Sequence, residues 1–395
     1  MNRQIASKLA RSAPPLEGVR VVDLTNVLAG PYATYQLAIL GAEVVKVEVP
    51  VRGDLARRLG ADESLNSLGL GASFQAQNAG KQSVELDLKS EKGGAQFVRL
   101  VENADVLVEN FRPGVLARLG FSWERLQEIN EQLVYCSLSG FGQAGPLSDR
   151  PAYDQIIQGM SGIMSVTGTE ESGPLRAGFP VCDTLGGVAA AFAITAALFG
   201  RSRTERGVRI DVSMLEVAIS AMGWVVSNYL ATGLEPSRLG NENFTAAPSA
   251  TFEAADGLLN ISANQQSQFE ALCRALERRD LLTDARFSDA ASRKRHRPEL
   301  KQAIESALVS RPAIEWEQLL SKAGVPAARV LSVADALGLE QLTQRGFFNT
   351  LPASGQCGKM ITVLGSGVHY DGAPLHVTTP PPVLGEHNER LRDNP

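Results

Sequence analysis

The stretch VRVVDLTNVLAGPYATYQLAILGAEVVKVEV, running from Val19 to Val49, decides the fold. Val19–Leu24 is a short β-branched run and Tyr32–Leu40 carries helical spacing. Gly41 stops the helix, and Glu43–Val49 is β-branched again. That is a β-α-β unit. The alternation continues through a strand at Ser83–Leu88, a helix at Glu91–Asn103, a strand at Val106–Glu109, a helical stretch at Val115–Ile129 and a strand at Leu133–Leu138. Such a rhythm predicts an α/β fold with a mainly parallel sheet covered by helices.

The rhythm is Rossmann-like, but no G-x-G-x-x-G follows the first strand. Asp23–Val27 leads instead to Ala29-Gly30-Pro31, so a dinucleotide site is unsupported. Beyond Gly207, the strand-like Val208–Val212 runs into a long helical region, Met214–Leu230, and then a polar loop, Gly240–Ser249. Residues from about 250 to 325 are richer in helix formers and charge and read as a smaller α+β domain. The predicted division is a large domain over 1–222, a small one over 223–325, and a return segment over 326–395 that completes the large domain.

Composition narrows the function. With 38 basic and 43 acidic side chains, the net charge of −5 gives no general field for a polyanion, so nucleic acid is not an expected partner. The basic cluster Arg293–Arg297 reads as a solvated helix start. The cysteines Cys136, Cys182, Cys273 and Cys357 are scattered, without a C-x-x-C pair, which suits a reducing cytoplasm. The most apolar run, Leu185–Phe199, has 15 residues. A helical span needs about 20, so no membrane association is expected. Four histidines in the last third and the lack of a G-x-S-x-G elbow or Walker spacing leave metal and Ser-His-Asp chemistry with little support.

One carboxylate stands out. Asp183, in Pro180-Val-Cys-Asp-Thr-Leu-Gly-Gly187, precedes that apolar run. It reads either as the N-cap of a helix over 184–199 or as a reactive group beside free helix N–H groups, with glycines that let a large ligand approach. Cys182 is the competing nucleophile, although no base is visible to activate it.

Several segments together resemble the class III CoA-transferases, the CaiB/BaiF-like group typified by carnitine and formyl-CoA transferases. They are Leu28–Ala33, Gly41–Glu48, Leu86–Lys89, Asp105–Gly114, Ser139–Gly142, Pro151–Asp154 and Gly385–His387, and the match runs from about residue 15 to about residue 390. The resemblance implies a Rossmann-like large domain, an inserted small domain and an interlocked homodimer. It places Asp183 at the catalytic aspartate. It puts Leu86, Lys89, Asn110, Phe111 and Arg112 around the adenine end of CoA and Arg118 near its phosphates. Tyr153 and Asp154 line the thioester pocket, beside Ala29. The implied activity moves CoA from an acyl-CoA, succinyl-CoA being preferred, to a small dicarboxylate through an aspartyl-CoA thioester. CoA is then a substrate, and neither a cofactor nor a metal is expected.

Leu28 and Val49 stand where the oxalate-using branch has glutamine and arginine, and Gly240–Phe244 stands where it has a run of glycines, which argues against oxalate. Two rivals remain. A racemase of the same fold would carry a histidine at Tyr153, and a catalytically silent CoA-binding subunit would need a related chain.

Overall fold

A computed structural model describes residues 13–355 and 359–389. Cys357 and the last residues of the predicted return segment lie outside them. Six strands form one parallel sheet: β1 (Arg20–Asp23), β2 (Glu43–Glu48), β3 (Lys81–Glu85), β4 (Val106–Glu109), β5 (Val134–Ser139) and β6 (Val208–Ser213). Their order is β3-β2-β1-β4-β5-β6. The period-2 alternation sends Val21, Val44, Val106 and Cys136 to one apolar layer and Val22, Val45, Val84 and Leu107 to the other. A sheet buried on both faces explains why successive residues such as Val106, Leu107 and Val108 of β4 are all apolar.

The chain forms two compact units. One takes Met1–Met164, Arg176–Pro236 and Glu340–Pro395; the other takes Ser165–Leu175 and Ser237–Leu339. The second unit is an antiparallel sheet of β7 (Ser249–Glu253), β8 (Leu258–Ser262) and β9 (Ala327–Arg329), packed with helices through Phe252, Leu259, Phe269, Ile304 and Trp316. Because β9 pairs with β8, the unit extends past the sequence boundary at 325. Because the helix Gly223–Thr232 belongs with the parallel sheet, it begins later than 223.

Other expectations also change. The single helix over Met214–Leu230 is two, Met214–Ala221 and Gly223–Thr232, bent by 77°. The stretch Val115–Ile129 breaks into Val115–Arg118 and Trp123–Ile129, with Gly120 between them at φ 94°. Arg293 is buried rather than solvated. It stacks over Phe269 and donates to the carbonyls of Ala247 and Phe287.

The apolar run lies within a 24-residue helix, Val181–Thr204, so the argument from a 15-residue length does not hold. This helix lies along the helix Ala29–Ile39. Gly187 makes the approach possible, since a Cβ there would sit 2.6 Å from the Ala29 carbonyl oxygen.

Candidate functional site

In an open α/β sheet, ligands bind in the crevice at the carboxyl ends of the strands where the strand order reverses. Here that point lies between β1 and β4. The loop after β1 begins at Leu24 and the loop after β4 at Asn110. The two are joined by one side chain: Asn110 Oδ1 accepts the Asn26 N–H at 2.8 Å, and Asn110 Nδ2 donates to the Asn26 carbonyl at 2.8 Å. The next residue is fixed as well, because the Phe111 N–H donates to Glu109 Oε2 at 2.6 Å.

Two cavities flank this junction. One, of about 250 Å³, is lined by Val27, Leu28, Ala29, Arg112, Tyr153 and Asp183, among others. The second, of about 470 Å³, is lined by Val47, Val49, Leu86, Lys89 and Leu119, among others. Asn26 and Phe111 line both, so the two cavities meet at the switch point.

Asp183 is not an N-cap. The helix starts at Val181, after Pro180, which offers no side-chain cap, and Asp183 is its third residue. The capping acceptor comes from elsewhere in the chain. Asp154 Oδ1 accepts the N–H groups of Cys182 at 2.8 Å and Asp183 at 3.2 Å. Gln158 Nε2 holds the other Asp154 oxygen at 2.6 Å, and Gln158 Oε1 accepts the Ala177 N–H at 2.8 Å. Asp183 is therefore left with a carboxylate that accepts no hydrogen bond among the described residues, on the wall of a cavity. Burial, and then the negative charge of Asp154, push it up to about 7. A carboxylate pushed up by burial and a neighbouring charge, in a cleft, is a candidate for a functional group.

Cys182 is fully buried, and burial first, then the charges of Asp154 and Asp183, push its thiol up to about 12. It is no rival nucleophile.

The remaining predicted site residues divide between the two cavities. Ala29, Arg112 and Tyr153 line the one with Asp183, and Leu86 and Lys89 line the other. Asn110 lines the first, and Phe111 lines both. Arg118 is exposed and lines neither. Asp154 also lines neither, since it is buried under the helix start. Sequence reasoning missed Asn26, Val27, Ser139 and Arg150 on the first cavity. Asn26 could have been found from its place just past the end of β1. Val27 carried no signal, because valine is not a turn residue. Gly240–Phe244 belongs to the other unit, where Glu242 pairs with Arg297 and Lys301.

Comparison with known proteins adds to this geometry. The model of CoA-transferase family III matches residues 16–388. An acetyl-CoA:oxalate CoA-transferase from Acetobacter aceti is 42% identical over 373 residues, covering 93% of this chain and 90% of its own length. A succinate–glutarate CoA-transferase from Agrobacterium fabrum is 37% identical over 386 residues, covering 96% of this chain and 95% of its own. The crystal structure of a CaiB/BaiF family protein from Brucella suis superposes with a TM-score of 0.85 at 35% identity, covering 97% of this chain and 99% of that one.

Proposed function

The chain belongs to CoA-transferase family III, and on that premise we propose that it moves CoA from an acyl-CoA, by preference succinyl-CoA, to a small dicarboxylate, with Asp183 as the group that carries CoA in between. The observation that carries this reading is the unpartnered Asp183 carboxylate on the cavity wall, pushed up to about 7.

In the proposed cycle an Asp183 oxygen attacks the donor thioester carbonyl and expels CoA thiolate, leaving a mixed anhydride. The thiolate attacks the aspartyl carbonyl, which releases the donor acid and forms an aspartyl-CoA thioester. An acceptor carboxylate attacks that thioester and frees the thiolate again. The thiolate then takes the acceptor acyl group, and Asp183 is restored. Each step exchanges acyl groups of matched reactivity, so no thioester energy passes to water.

A dicarboxylate is favoured because Arg112 and Arg150 line the cavity and Asp183 is its only acidic lining residue among the described residues. A diacid places one carboxylate at the reaction and leaves the other for a cation. Oxalate stays among the acceptors to be tried, because a relative covering most of the chain bears that name. The exposed Phe192, Trp224 and Leu230 on helices of the larger unit support assembly as a homodimer, which sedimentation would test.

The test incubates the protein with succinyl-CoA and a panel of oxalate, glutarate, mesaconate and monocarboxylic acids, and follows acyl-CoA products by mass spectrometry. A new dicarboxylyl-CoA, together with Asp183 peptides heavier by CoA, is the expected result. Turnover of monocarboxylates alone would sink the substrate class, and isomerised acyl-CoA would turn the reading toward a racemase.

A further inference from the structure

The cavity that Asp183 lines has a strained residue in its wall. Val27 has φ 69°, in the left-handed region. That is costly for any side chain but glycine and most of all for a β-branched one. The neighbouring elements do not impose it, since β1 ends at Asp23 and the following helix begins only at Ala29.

Val27 meets a buried ion pair between Lys46 on β2 and Asp54 in the segment after it. Its N–H donates to Asp54 Oδ1 at 3.0 Å. Asp54 in turn pairs with Lys46 at 2.9 Å, and both side chains are fully buried. Lys46 Nζ also donates to the Thr25 carbonyl at 2.7 Å, so one ion pair grips the loop on either side of Asn26. Asp54 is itself fixed, as its Oδ1 accepts the Ala56 N–H at 2.9 Å and its own N–H donates to Glu48 Oε2 at 2.8 Å.

We infer that Asp54, backed by Lys46, is a positioning residue of the transfer reaction. It holds Val27 in the left-handed conformation and so sets where Leu28 and Ala29 meet the substrate opposite Asp183. The inference rests on the transferase reading of that site. Strain of this kind persists where the surroundings over-determine it, and it clusters at reacting centres. Without Asp54, Val27 relaxes toward an extended or helical φ and carries Leu28 and Ala29 with it. A merely structural role would have Asp54 do no more than neutralise Lys46.

The two roles separate in a double-mutant cycle. Asp54→Ala is expected to lower kcat roughly tenfold or more while moving KM for the acyl-CoA far less. In the background of Val27→Gly the same change is expected to cost much less, because glycine occupies this φ without restraint. An equal loss in both backgrounds would overturn the proposal, since neutralising Lys46 has nothing to do with residue 27. A second readout needs neither turnover nor a variant: in the unaltered protein, the Val27 N–H should exchange with solvent deuterium orders of magnitude more slowly than an open loop amide. Fast exchange there would also overturn it. If the unaltered protein exchanges no CoA but the Val27 amide is protected, the transferase reading fails while the Asp54 restraint stands.

Discussion

Two fully buried acids and one half-buried acid in the same unit are handled in opposite ways. Under the switch point, Asp23 is surrounded by partners: Lys81 at 3.0 Å, Thr34 at 2.7 Å and Thr25 at 2.5 Å. Burial alone would raise it, but Lys46 and Lys81, together with the Thr25 and Thr34 hydroxyls, outweigh burial and hold it at about 2. Glu48 receives Arg57 through both oxygens at 2.6 and 2.7 Å, and Ser83 at 2.7 Å. It too lies below its usual range despite burial. Asp183 has the burial without the partners, and its nearest charged influence is another acid. The same residue type becomes a fixed charge in one place and a poised one in the other. The choice is made by what was, or was not, placed beside it.

The contrast can be broken at either end. The largest effect belongs to Asp183→Ala, expected to reduce transfer on the order of 10³-fold or more while leaving acyl-CoA binding nearly unchanged, as read from steady-state rates against calorimetric affinity. Retained transfer would mean that the isolated acid is not the chemical one.

At the other end, Asp23→Ala leaves the buried Lys81 charge without its acidic partner and should cost about 3–5 kcal/mol in urea unfolding. A cost under about 1 kcal/mol would show that the pairing is not what keeps that region folded.

The poised acid also predicts a pH dependence. Between the ordinary aspartate value of 3.8 and about 7, the folded chain keeps a proton on Asp183 that the unfolded chain has released. Stability therefore falls as pH rises through that window, and the penalty is complete above it. Asp183→Asn should stabilise the protein by on the order of 2 kcal/mol at pH 8 and by nothing measurable at pH 4, as judged by denaturant midpoints at the two pH values. The smallest effect sharpens the cause. Asp154→Asn keeps an acceptor oxygen for the helix start but removes its charge, so the acidic limb of the pH–rate profile should move down by a fraction of a pH unit. An unmoved limb would leave burial as the sole cause.

The sequence carried the parts of the molecule that depend on neighbours along the chain. β1, the helix after it and β2 were legible because Val19–Val49 changes period twice and Gly41 marks the change. Asp183 was legible as an oddity, yet its local reading as a cap failed, because the true cap, Asp154, lies 29 residues earlier and meets it only after folding. The ion pairs were hidden for the same reason. Lys46 and Glu48 look like the polar face of a half-exposed strand, and only the folded sheet shows them buried. Arg118 was carried over by resemblance, and the fold leaves it on the surface, off both cavities.

One feature of the sheet edge bears on biosynthesis. β3 pairs with β2 alone, and its outer edge is met by residues some three hundred positions later. Ser83 N–H donates to His387 Nδ1, and the Ser83 carbonyl accepts the His387 N–H. Ser83 Oγ accepts the Gly385 N–H, and the Glu85 N–H donates to Asn388. While a ribosome is still adding the second unit, that edge stands open as a template for any extended strand that meets it. The second unit, continuous over most of its length, can be complete before the sheet that precedes it in the chain. These contacts to the edge can form only once the residues around 385 have emerged.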